Sequence, residues 1–209
     1  HVWTDPATAG RPADPALDLT YADLTTPAPT TSDCVVGWRS GCRVTIHYEK
    51  HIHPLWSKPR ITRAADGSVL KDDTCTSCHS NRSEAGAVQL PPGQLELTDG
   101  PSDDEPDHFK AYQELLGTDN EQELVNGVLQ DKLVQVGVDP VTGEPQFVGI
   151  PVPPALQAGN ANESVAFFAL FAPGGSHAGR LTPAELKLIS EWVDSGAQYF
   201  NDPFAAPLN

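Results

Sequence analysis

Methionine is missing from all 209 residues. That excludes a thioether ligand from any metal site this chain builds. Basic residues are scarce: 13 Lys and Arg stand against 28 Asp and Glu, for a formal net charge of −15. So large an acid excess argues against a nucleic-acid backbone or an anionic membrane surface as partner. No apolar run is long enough to span a bilayer. No nucleophile triad, phosphate-binding loop or credible carboxylate pair is visible, so no catalytic residue is assigned. Only 39% of the residues are hydrophobic, which suits one domain with a long arm.

Proline and glycine, by contrast, are plentiful at 20 and 17 residues, and they predict a loop-rich chain. Residues 1–44 read as an extended Pro/Thr-rich arm, with Thr25-Thr-Pro-Ala-Pro-Thr-Thr31 as linker composition. An arm of this kind is expected to be held by a neighbouring subunit, which makes a homo-oligomer or larger assembly the expected partner. Cys34 and Cys42 are expected to close a local disulfide loop. Residues 45–209 then form the domain proper. Arg43 to Ile46 reads as a short strand. Tyr48, Ile52, Leu55 and Trp56 recur at helical spacing, as do Phe109, Tyr112, Leu115 and Leu116, with Gly117 as a stop. Glu121 to Leu129 is expected to be a short helix. Leu133–Val136 and Phe147–Ile150, around Asp139-Pro-Val-Thr-Gly143, read as a hairpin. Asn162 to Phe171 is a further helix. The last helix is the best marked: Thr182-Pro183-Ala184-Glu185 is a capping box with proline in the first turn.

The chemistry concentrates at Cys75-Thr-Ser-Cys78-His79. A C-x-x-C-H run reads as covalent attachment of one haem c, with His79 as proximal iron ligand. Zinc or a redox dithiol is the alternative, but no second ligand pair stands at zinc spacing. Haem c is attached outside the cytoplasm, so a periplasmic or extracellular location and a removed leader before His1 are expected. With methionine absent, a histidine is the favoured second axial ligand. His177, in the glycine-rich loop Pro173–Gly179 whose glycines let the backbone approach closely, and His51 are the candidates. His1, His47, His53 and His108 read more simply as surface residues. Asp103-Asp104-Glu105 with Asp107 reads as a solvated loop rather than a calcium site. Asn81-Arg-Ser83 and Asn162-Glu-Ser164 match glycosylation sequons, a short and common pattern.

Together these pieces resemble a monohaem c-type cytochrome domain over about residues 45 to 203. The resemblance rests on the helix at His51-Ile-His-Pro-Leu-Trp56, on CTSCH and on the final helix. It implies a mainly α, cytochrome c-like fold, with the loop before the last helix supplying the distal ligand, which makes His177 the first choice and His51 the second. The strings Ile46–Trp56 and Leu188–Phe204 are also similar to the middle haem domain of hydrazine synthase alpha-like proteins. There the iron takes a tyrosine shortly after the motif, whereas Ser80-Asn-Arg-Ser-Glu84 has none. The resemblance therefore implies an electron carrier with redox-protein partners. A haem enzyme or ligand-binding protein with an open distal site is the alternative.

Overall fold

The computed structural model describes residue 10 and residues 21–201. Expectations for His1 and for most of the arm lie outside the described residues.

Ordered structure begins with helix α1 (Ser32–Val36), whose Cys34 is disulfide-bonded to Cys42. The linker is tied to the domain, since Thr45 N–H donates to the Pro29 carbonyl at 2.9 Å. Tyr21 is buried in this chain's own core, with the Lys187 ammonium 3.8 Å from its ring centre. The described end of the arm therefore packs on its own domain, whatever a neighbour contributes further back. Replacing Cys34 and Cys42 by serine is expected to cost about 2–3 kcal/mol, the loop-closure entropy of a short ring. A fall in the denaturation midpoint at unchanged slope would register it.

Residues 43–46 do not pair as a strand, although Ile46 is buried. A π turn (Tyr48–Ile52) runs directly into α2 (His53–Ser57), and Tyr48, Ile52, Leu55 and Trp56 all point inward. The hairpin of β1 (Ile61–Arg63) and β2 (Val69–Asp72) follows, then α3 (Cys75–Cys78). A 3-10 turn (Pro92–Gln94) precedes α4 (Lys110–Leu116). After the β strands described below come a second 3-10 turn (Ala161–Ser164), α5 (Val165–Phe171) and α6 (Pro183–Asp194).

The α6 stripe Ala184, Leu188, Ile189, Trp192 and Val193 closes the core against the π turn and α4. The Tyr48 ring sits at the centre, 5.1 Å from Tyr112, 5.4 Å from Trp192 and 5.5 Å from Tyr199. Tyr199 ties three segments. Its carbonyl accepts from Tyr48 N–H at 3.0 Å, and its hydroxyl donates to Glu49 Oε1 at 2.6 Å while accepting from Phe109 N–H at 3.0 Å.

The expectation of a mainly α fold is not met. The chain is mixed, about 29% helix and 19% strand, with eight strands in four separate two-stranded sheets among the described residues. A short pair, β3 (Asp119–Asn120) with β8 (Pro151–Val152), brackets two projecting hairpins. The first joins β4 (Gln122–Val125) to β5 (Val128–Asp131). It replaces the helix expected over Glu121 to Leu129. Asn126 and Gly127 both take positive φ, 53° and 80°, as a two-residue hairpin turn demands. The second joins β6 (Leu133–Val138) to β7 (Pro145–Gly149), as the alternating pattern predicts. Both hairpins leave valines and leucines exposed, among them Leu124, Val128, Val136 and Val138. With no buried face of their own, they add strand without adding core.

Candidate functional site

Asp72, at the end of β2, sets the entry of the motif helix. Its Oδ1 accepts from Thr74 N–H at 2.8 Å and its Oδ2 from the Ser77 hydroxyl at 2.9 Å. One turn of helix then puts Cys75 and Cys78 three residues apart on one face. Both thiols are free, unlike the Cys34–Cys42 pair. His79 caps the turn, its N–H donating to the Cys75 carbonyl at 2.8 Å. Its side-chain Nδ1 lies 3.0 Å from the Leu95 carbonyl. That carbonyl can only accept, so Nδ1 carries the proton and the Nε2 lone pair is left free. Burial pushes the His79 imidazole below its usual range, opposed by the Leu95 hydrogen bond, so the ring is neutral at pH 7. The Cys75 thiol is pushed up by burial.

Cys75, Cys78 and His79 line a cavity of about 540 Å3, walled by Trp56, Leu95, Phe167, Leu170 and Phe171. His177 lines the same cavity from the opposite end of the sequence. Its loop is clamped to the end of α5, where His177 N–H donates to the Leu170 carbonyl at 2.8 Å. Gly175 makes that approach possible: a Cβ there would lie 2.3 Å from the Leu170 carbonyl oxygen and 2.5 Å from that of Ala169. His177 Nδ1 is engaged by the Ser176 hydroxyl at 2.8 Å. Burial, then the charge of Arg180, holds the ring below the usual histidine range. An ion pair ties this loop to the motif's flank, with Arg180 Nε 3.1 Å from Asp73 Oδ1.

The two imidazole centres are 6.0 Å apart, with ring planes inclined by 37°. Two metal–imidazole bonds of about 2 Å, plus the depth of each ring, span roughly that distance. Each ring has its Nδ1 held by a neighbour, the usual outer contact of a ligating histidine. The residues present therefore fit a haem c: two thiols for its edge, two nitrogens for its iron and an apolar wall for its faces.

The other histidines lie elsewhere. His51 is not on the cavity wall; it is buried, and its Nδ1 accepts from His47 N–H at 2.9 Å. Burial lowers it to about 4, so it is neutral and already engaged. His53 packs on Phe109 at 4.6 Å, and His108 stacks on Tyr199 at 4.0 Å. No local motif marks the Leu95 carbonyl, Arg180 or the cavity carboxylate Glu114, because their place at the cavity depends on segments distant in the chain.

Among the described residues, no helix is long and apolar enough to cross a membrane. Set beside known proteins, the chain matches no family model, no curated protein and no solved structure.

Proposed function

We propose that the chain is an extracytoplasmic electron-transfer protein carrying one haem c. The observation that carries this reading is the convergence of Cys75, Cys78, His79 and His177 on one cavity, with the imidazoles 6.0 Å apart. When bound, the haem supplies an iron that changes oxidation state by one electron.

The chain's own residues do the rest. The Cys75 and Cys78 thiols would hold the porphyrin edge. His79 and His177 would both supply Nε2 to the iron, which would then have no position for a substrate. Leu95 fixes the tautomer and orientation of His79. The apolar side chains Trp56, Leu95, Phe167 and Phe171 would pack on the haem faces and limit reorganisation when its charge changes. Imidazole on both sides gives a lower potential than a methionine would, and the acidic chain favours the ferric state. The Cys34–Cys42 disulfide supports an oxidising compartment.

The test is an absorption spectrum of the protein matured with haem, alone and as His177→Ala. The wild-type ferric spectrum is expected to be low-spin and indifferent to cyanide. His177→Ala is expected to turn it high-spin and open it to cyanide and CO. A wild type that is already high-spin and binds these ligands would overturn the carrier reading. An unchanged spectrum in the variant would remove His177 from the iron.

A further inference from the structure

Two carboxylates line one wall of the cavity, and an ion pair between Lys110 and the buried Glu96 stands behind them. Glu114 lines it from the last turns of α4, and Asp119 lines it from β3. Glu96 is buried just after Leu95, the residue that orients His79. Lys110 stands one turn before Glu114 on α4. Its ammonium is engaged with Glu96, 3.3 Å from Oε2, and Glu96 Oε1 accepts from the Thr98 hydroxyl at 2.7 Å. Asp103 also bears on Lys110. Among the described residues Glu114 has no ion-pair partner of its own, although it is half-buried. Across the cavity the one guanidinium, Arg180, is taken by Asp73. The remaining titratable groups on the wall are His79, His177 and the two thiols.

We propose that Glu114 couples proton transfer to electron transfer at this site: it takes up a proton when an electron arrives and releases it when the electron leaves. The proposal rests on the haem reading above. The electron comes from a one-electron donor protein and the proton from solvent. Together they convert the carboxylate to the acid and leave the net charge of the cavity unchanged.

The direction follows from Coulomb's law. An electron added in a low-dielectric cavity raises the proton affinity of a nearby carboxylate. Glu114 is poised for it. Burial pushes its carboxyl up to about 7, helped by the charges of Asp119 and Glu96, against the pull of Lys110 and a hydrogen bond from the Glu96 backbone. Asp119, on the same wall, is exposed to water.

The test is the reduction potential of the haem-loaded protein against pH, in wild type, Glu114→Gln and Glu114→Asp. Wild type is expected to hold its potential below about pH 7, where the carboxyl is already protonated before the electron arrives, and to fall above it, towards 59 mV per pH unit, a tenfold change in proton concentration on a one-electron couple. Glu114→Gln is expected to flatten the slope, and Glu114→Asp to keep it with a shifted midpoint. Reduced-minus-oxidised infrared spectra supply a second reading: wild type should gain a protonated-carboxyl band on reduction that Glu114→Gln lacks. A haem-loaded protein whose slope survives in Glu114→Gln, or whose wild type gains no such band, overturns this proposal alone. A chain that acquires no covalent haem overturns the reading beneath it as well.

Discussion

Glu185→Gln is expected to lower the unfolding free energy by about 3–5 kcal/mol, the usual cost of stranding one side of a buried ion pair. The melting temperature should fall by roughly 6–20 °C for a chain of this size. The Glu185 side chain is 1% exposed, and two cations converge on it. Lys58 Nζ lies 2.7 Å from Oε1 and the Arg60 guanidinium at 3.2 Å. The same carboxylate closes the capping box of α6, accepting from Thr182 N–H at 2.9 Å. Arg60 also donates to the Leu55 carbonyl at 2.7 Å, and its own N–H is bound by Thr74 Oγ1 at 3.0 Å. One carboxylate thus joins the last helix, the end of α2 and the residue before the cysteine motif.

The pH dependence has a definite sign. Burial raises the Glu185 carboxyl, but the hydrogen bonds from Lys58 and Thr182 and the charge of Arg60 outweigh it. The net result lies below the ordinary carboxylate range. A depressed folded-state value contributes stability that is complete above the unfolded value and is lost as pH falls through the folded one. The wild type should therefore weaken in acid below the ordinary glutamate range, and Glu185→Gln should lose that part of the acid sensitivity. Equal melting temperatures for the two proteins at neutral pH would show that the pair contributes nothing net.

Replacing both Cys75 and Cys78 by alanine is expected to abolish covalent haem altogether. In the wild type, denaturation in acidified organic solvent should leave the colour with the protein; in the variant it should leave with the solvent. His79 and His177 remain in the variant, so haem added to the folded protein can still bind without a covalent bond. That separates loss of attachment from loss of the site. The haem-free chain should also be markedly less stable. A cavity of about 540 Å3 with apolar walls forfeits packing on every side when nothing fills it, and a group bound only by the folded state adds its binding free energy to folding. A variant that kept its colour through solvent extraction would show that the thiols are not the attachment points.

The parts legible in the sequence were those with a buried face or a local motif. Thr182 and Glu185 announced α6, and the spacing of Tyr112 and Leu115 announced α4, because both helices turn one side to the core. The projecting strands have no such side. In Glu121 to Leu129, Leu124, Val125, Val128 and Leu129 fall at spacings a helix would also give, and burial does not discriminate when both faces meet water. The signal was present in Asn126-Gly127 at the centre. The β1–β2 hairpin, exposed along Ile61–Arg63, escaped for the same reason. At the site, cysteine spacing marked the motif residues, and the cytochrome resemblance together with a glycine-rich loop pointed to His177; the fold brings all four to one cavity. The 6.0 Å between the rings was not legible, nor was the gathering of Glu96, Glu114 and Asp119, because those depend on three segments meeting.

His79 and His177 stand about a hundred residues apart in the chain, and between them lie both projecting hairpins. A pocket whose two sides are so far apart carries a high contact order, and long-range closure is slow. The motif end can form early, from the hairpin and turn next to it. The far wall must wait for α5 and for the clamp of Gly175 and Arg180. On the haem reading proposed above, attachment at Cys75 and Cys78 would then precede the arrival of His177. The second imidazole would act as a latch that records the completion of folding, and a half-folded chain would reveal itself by a haem still open on one side.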